Sequence, residues 1–342
     1  MSQPGFFDLN VRLEKLNELD PLVSLNELVD WENFRSTLDK IRDKERKNNS
    51  GRKPFDGILM FKIMVLQHLY NLSDDQIEYQ IRDRYTFSRF LGLTPEDRVP
   101  DSKTVWLFRE QLSRLDLVKD LFNDFDYQLN ENGYQAKKGQ IVDASFVDVP
   151  KQRNTREENK IIKEGEIPDR FKDNPNVGAQ KDTDARWTKK NDEKHFGYKD
   201  HIAIDNAHKL IRDYDVTSAE VHDSQVFEDI LSENTSKDVW ADSAYRSEEH
   251  ELVLDGMGYR SKVHKKGKRN KPLTDREYKA NTKKSKIRAR VEHVFGSITN
   301  EQGGLNFKVI GLSRAKVKIG LMNVVYNMRR FVTLNRMSAS FS

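Results

Sequence analysis

The hydrophobic pattern of this chain changes period once, near Gly133, and that change limits the folds open to it. Before that point, apolar residues recur with helical spacing. In "LVKDLFNDFDYQL" (117–129), Val118, Leu121, Phe122, Phe125 and Leu129 share one helix face. "FDGILMFKIMVLQHLY" (55–70) is apolar on nearly all sides, which predicts a buried helix. "LSDDQIEYQIRDRY" carries Ser73 with Gln76 three residues on, a capping box. "VPDSKTVWLFREQLSRL" takes Asp101 or Ser102 as its N-cap. Short helices joined by tight turns are compatible with a helix-turn-helix unit. Its 101–114 helix, with Lys103, Arg109 and Arg114, would then enter a DNA groove.

Past Gly133 the pattern is that of strands alternating with helices. "GQIVDASFVDV" (139–149) reads as a strand, and "HFGYKDHIAID" (195–205) with "KLIRDYDVTS" (209–218) as an antiparallel hairpin. "KDVWADSAY" (237–245) and "YRSKV" (259–263) are further strands. "VHDSQVFEDILSEN" (221–234), capped by Asp223, and "SEEHELVLDGMG", from Ser247 to Gly256–Gly258, are expected as helices. "SKIRARVEHVFGSI" (285–298) is a helix with an apolar stripe of Ile287, Val291, Val294, Phe295 and Ile298, and "AKVKIGLMNVVYNMRRFV" is the last. The expectation is an all-helical N-terminal domain over 1–133 and a mixed α/β layer over 134–342. A charged stretch at about 150–194 is poor in aliphatic residues. It is expected to be a mobile insertion, with "DARWTKK" (184–190) ordered or becoming so on DNA.

Charge is unevenly spread. Thirteen Lys or Arg face two acids between Lys262 and Arg290, a net of +11, so the rest of this +4 chain carries −7. Such a block is the footprint of a polyanion partner, or else a solvated lysine-rich loop. No apolar run approaches the roughly 20 residues of a membrane span. The first residues lack the order of a signal peptide. Cysteine is absent, which excludes thiolate metal sites and leaves carboxylates and His as ligands. These features predict a cytoplasmic protein without a membrane partner.

Three acids stand out. Asp143 lies inside an apolar strand, Asp242 closes a second strand, and Glu292 sits beside the stripe of a late helix with Arg288 one turn before it. An acid in a strand core is costly unless paired or metal-bound. If the two strands are neighbours, both carboxylates meet, and a helix across the sheet edge can add Glu292. Three oxygen ligands suit Mg²⁺ or, as the alternative, Mn²⁺. Two such ions serve an in-line phosphoryl displacement. Taken singly, the same acids also read as a turn cap, a helix cap and the partner of Arg288. Asp148 and Asp205 compete as acids, and His201, His222 and His293 as ligands or proton carriers.

With "IVDAS", "WADSAYRS" and "RARVEHVFGSI" in this order, the chain resembles bacterial insertion-sequence transposases of the DDE type, and among them the insertion sequence five family. "DARWTKK", "HFGYKDHIAID", "VTSAEVHDSQVF", "SDDQIEYQIRDRYTFSRFLGL" and "PDSKTVW" extend the likeness over about 55 to 335. The resemblance implies an RNase H-like catalytic fold with Asp143, Asp242 and Glu292 as the metal-binding triad. It implies an endonuclease that cuts transposon ends and joins the freed 3′-OH to target DNA. The implied partners are double-stranded DNA, as terminal inverted repeats and target, and further copies of the chain in a homodimer or higher oligomer. The implied location is the bacterial cytoplasm, on the nucleoid. Tyr245 and Arg246 follow the second acid, and with Arg288, Lys284, Lys286, Arg290, Lys265, Lys266, Lys103 and Arg109 they form the expected DNA-contacting set. Around the Glu the related pattern is Tyr-x₂-Arg-x₃-Glu-x₆-Lys. Here Arg288 and Glu292 fit, whereas Ser285 and Thr299 replace the Tyr and the Lys. Two other functions fit the sequence: a DNA-binding regulator, or a nuclease, derived from a transposase and without strand transfer.

Overall fold

The computed structural model describes residues 20–42, 53–190, 192–267, 272–304 and 307–339. The first nineteen residues, and Lys268, Arg269 and Lys271 of the basic block, lie outside them. The chain forms two compact units. One takes the residues up to Leu129 together with those from Val324 on; the other is Asn130–Asn323.

The first unit is helical: α1 (Pro21–Leu28), α2 (Arg35–Asp39), α3 (Gly57–Leu69), α4 (Asp74–Asp83), α5 (Tyr85–Leu91), α6 (Ser102–Arg114) and α7 (Val118–Glu131). Helix α3 is the core element, with Phe61, Ile63, Met64, Val65 and Leu66 at zero exposure. Phe34 packs on Phe61 at 4.8 Å between ring centroids. The Ser73–Gln76 capping box forms in both directions, at 3.2 and 2.9 Å. Of the two candidate caps of α6, Asp101 takes the role, accepting from Thr104 N at 2.7 Å.

The second unit is built on a mixed sheet of β1 (Gln140–Asp148), β2 (Arg186–Lys190), β3 (Glu193–Asp205), β4 (Ile211–Ser218), β5 (Asp238–Trp240) and β6 (Arg260–Ser261). The main order is β4-β3-β1-β5-β6, with β2 on the first residues of β3. Strand β3 is antiparallel to β1 and β4, while β5 runs parallel to β1 and β6 parallel to β5. Gly139 opens β1 at φ +82°, and a Cβ there would strike the backbone of Asp238. Only glycine lets the two parallel strands start this close. Around the sheet lie α8 (Arg156–Lys163), α9 (Asp169–Asp173), α10 (Pro175–Gly178), α11 (Glu248–Gly256), α12 (Asp275–Glu301) and α13 (Leu312–Ala339). The latter half of α13 belongs to the first unit.

Four expectations change. The charged insertion is ordered: it holds α8–α10 and β2, with Ile162 and Phe171 buried. Ile162, Phe171 and Ala185 point inward, while Ile167 and Trp187 stay exposed. Asp182, 2% exposed, ties it to the sheet by accepting from Tyr198 Oη at 2.8 Å, Ala185 N at 2.9 Å and Gly311 N at 3.1 Å. Second, 221–234 is not a helix. Only a 3-10 turn forms, Asp223–Gln225, capped by His222 rather than Asp223. Val226, Phe227 and Ile230 all enter one core cluster, and that packing overrides helix propensity. Third, β5 ends at Trp240, and Asp242 caps a second 3-10 turn, Ser243–Tyr245. Fourth, helix α12 starts at Asp275, ten residues before the expected Ser285, at a Thr274–Glu277 capping box. Much of the basic block is therefore helix rather than loop.

Candidate catalytic site

Parallel pairing sets the site. Gln140 pairs with Val239 and Ile141 with Trp240, an offset of 99 residues. Asp143 and Asp242 are separated by the same 99. The two acids therefore leave neighbouring strands at the same level. Helix α12 packs against both β1 and β5 and brings its own acid and base to them.

Asp143 is mostly buried. Its Oδ1 accepts from Ala144 N at 2.9 Å, and its Oδ2 from Arg288 Nη1 at 2.6 Å. Burial pushes this carboxyl up to about 6 against the pull of Arg288 and of the Ala144 N–H, and the Asp242 charge adds to the rise. Asp242 accepts from Ala244 N at 2.6 Å. Glu292 lies one helical turn beyond Arg288, whose Nη2 is 3.5 Å from its Oε1. The Glu292 side chain is 64% exposed. It opens on a groove lined by Ala289, His293, Gly296 and Asn300.

The donor set is all oxygen, as a hard divalent cation requires. Its geometry is that of an acid pair closed by a guanidinium. Among the described residues no group of three or more His, Asp or Glu is arranged to hold a metal ion. Arg288 stands between Asp143 and Glu292 and supplies the positive charge there.

A family model described as "Transposase DDE domain" matches residues 134–328, more than half of the chain. The chain belongs to the DDE transposase family. A second transposase-domain model matches residues 10–111. The structure is similar to that of a piggyBac transposase, solved by cryo-EM as a synaptic complex with hairpin DNA. The identity is 12%, the TM-score 0.50, and the match covers 94% of this chain and 76% of that one. At that identity the likeness speaks for the fold, an RNase H-like mixed sheet with a helical region before it. The chain is thus a DNA transposase, an enzyme that cuts DNA and transfers strands, of a family that works with divalent metal.

The transposase places its other expected site residues unevenly. Tyr245, read from the sequence as a DNA contact, is 1% exposed and packs on Phe227. Arg246 donates to Val263 O at 3.3 Å and pairs with Glu251 at 3.5 Å. Lys284 donates to Val263 O at 2.8 Å, and burial pulls its ammonium pKa down. Arg290 grips Asn206 of the β3–β4 turn at 2.7 Å, and Lys265 pairs with Glu277 at 2.9 Å. In the helical unit, Arg109 binds Asp74 and Gln67. Lys103, Lys266 and Lys286 are exposed and pair with no acid among the described residues. Ser285 and His264 approach at 3.5 Å, beside the place where relatives carry Tyr. Thr299 is exposed.

The competing groups have local tasks. Asp205 is fully buried on Arg212 and the N–H groups of Ala207 and His208. Asp148 pairs with His195 at 3.3 Å. His201 is buried with Nε2 on Thr217 Oγ1 at 2.8 Å. His293 is exposed next to Glu292. Among the described residues no helix is long and apolar enough to cross a membrane.

Proposed function

We propose that Asp143, Asp242 and Glu292 are the acids of a two-metal strand-transfer site, with Mg²⁺ as the ion and Mn²⁺ as its substitute. The observation that carries this reading is the shared register of Asp143 and Asp242, with Arg288 and Glu292 brought over them by α12. Bound ions would activate the attacking oxygen and stabilise the leaving one. The chain's own groups do the rest. Asp143, partly neutralised by Arg288, keeps a charge ready at the centre. Glu292, exposed and on a groove, is free to turn inward. Arg288 exchanges Asp143 for a substrate phosphate, which a planar guanidinium holds with two parallel bonds. Lys266 and Lys286 meet the DNA backbone, and Lys103 serves the helical unit in the same way.

The substrate in this reading is the element's own terminal inverted repeats. A water cuts the strand, and the freed 3′-OH attacks target DNA within a dimer or larger assembly in the bacterial cytoplasm, on the nucleoid. Membership of the insertion sequence five family rests on the motifs alone. The test is a cleavage and joining assay with labelled DNA bearing these ends. Joined products with Mg²⁺ support strand transfer. Cut but unjoined ends point to a nuclease, and end binding without any product points to a regulator.

A further inference from the structure

The register that aligns Asp143 with Asp242 continues one strand further. Asp238 pairs with Arg260 and Val239 with Ser261, an offset of 22 residues. Asp242 and His264 are separated by the same 22. Past the paired residues the two segments stay in step. Lys262 N donates to Val239 O at 2.8 Å, and His264 N to Ala241 O at 3.2 Å. His264 therefore stands level with Asp242, on the flank away from Asp143.

The His264 side chain faces α12. Its Nε2 lies 3.5 Å from Ser285 Oγ, and Ser285 precedes Arg288 by one turn on the same helix face. Ser285 Oγ donates to Asn281 O at 3.1 Å, so toward His264 it is the acceptor. A contact of 3.5 Å holds an imidazole N–H only weakly. Ser285 is exposed and His264 half-buried, so a ligand in solvent can reach the ring.

The surroundings select an anion. Lys284 Nζ and Arg246 Nη1 both reach the carbonyl oxygen of Val263, the residue before His264, at 2.8 and 3.3 Å. The nearby acids Glu251 and Glu277 are already paired, with Arg246 and Lys265. A metal ion would be repelled there, whereas a phosphate would be attracted. In the sequence His264 reads as one more residue of a basic block.

We propose that His264 is a DNA-binding residue of the catalytic centre, and that its imidazole N–H leaves Ser285 to donate to a non-bridging oxygen of the phosphate next to the scissile one. This rests on the reading of Asp143, Asp242 and Glu292 as the reacting acids. Arg288 and His264, one helical turn apart along α12, would then hold successive phosphates of the strand that is cut.

The experiment is a cycle between His264→Ala and the DNA. The probes are end duplexes with a single uncharged methylphosphonate at each phosphate flanking the cut. Cleavage kcat/KM with Mg²⁺ is read for the full-length parent and variant. His264→Ala is expected to lower kcat/KM about tenfold at unchanged melting temperature, as loss of a hydrogen bond to a charged group does. At one phosphate, the methylphosphonate is expected to cost the parent about tenfold and the variant nothing further. Losses that multiply at every phosphate would overturn the inference, as would a parental kcat/KM in His264→Ala. If His264→Ala melts early, His264→Phe, which keeps a ring without the N–H, goes through the same cycle under the same criterion. Asp242→Asn is assayed alongside on unmodified DNA. If it cuts normally, the reading of the acids falls and this inference with it. If it is inactive while the losses multiply, only this inference falls.

Discussion

Arg288 Nη1 lies 2.6 Å from Asp143 Oδ2, although the two residues are 145 positions apart in the chain. The pair joins the first strand of the sheet to the helix that carries Glu292. It keeps a mostly buried carboxylate from standing alone, but burial still outweighs the guanidinium.

It follows that Asp143→Asn is expected to stabilise the transposase and, on the proposed reading of the site, to disable it. The neutral amide removes a charge that the fold holds at a cost. In metal-free buffer at neutral pH, urea unfolding is expected to show a gain of about 1 kcal/mol. A clear loss of stability would mean that Arg288 dominates over burial.

Lys62, in the helical unit, gives a pH dependence of defined sign. Its ammonium donates to Asn26 Oδ1 at 2.7 Å and sits over the rings of Trp31 and Phe90 at 4.9 and 5.3 Å. Burial nevertheless lowers its pKa from 10.5 to about 8. Between these values the unfolded chain holds more protons than the folded one, so this group makes stability rise as pH increases from about 8 to 10.5. Lys62→Met is expected to be more stable by about 1 kcal/mol below pH 8, allowing for partial solvent screening, and to lose that advantage by pH 10.5. Chemical denaturation at pH 7 and pH 10.5 reads this directly.

The insertion offers a third test. Tyr198→Phe removes one hydrogen bond to Asp182 and is expected to cost about 1 kcal/mol. Asp182→Ala leaves several buried donors unpaired and is expected to cost roughly 2–4 kcal/mol. Because Asp182 ties the insertion to β3, trypsin should then cut within 151–190 before the rest of the chain.

This segment also marks where sequence reading fell short. Asp143, Asp242 and Glu292 were legible because an acid in an apolar strand breaks its pattern, and a late amphipathic helix announces itself. The pairing of the two strands that carry Asp143 and Asp242 was not legible, since strand register is set by contacts such as Gly139 on Asp238. In 150–194, charged residues outnumber the inward-facing Ile162 and Phe171, so the pattern looked like that of an unfolded stretch. The Thr274–Glu277 capping box was readable but sat within a basic block. Tyr245 was misjudged because its neighbours are polar in sequence, whereas the turn after Asp242 rotates it into the core. Asp223 was read as a helix cap, whereas the packing of Val226 and Phe227 leaves only a 3-10 turn there, capped by His222.

Salt dependence separates free from engaged cations. Lys266→Gln and Lys286→Gln are each expected to reduce the slope of log K against log salt by about 0.9, as loss of one phosphate contact does. Arg109→Gln is expected to leave the slope unchanged and to lower the melting temperature, because its partners are Asp74 and Gln67. Fluorescence anisotropy with end DNA over a salt series distinguishes the two outcomes.

The most direct test of the catalytic reading is Mg²⁺-dependent cleavage of end DNA by Asp143→Asn, Asp242→Asn and Glu292→Gln, with end binding measured on the same samples. Each variant is expected to bind DNA normally and to cut at least about 100-fold more slowly than the parent chain. Cleavage within a few-fold of the parent by any one of them would remove that acid from the site.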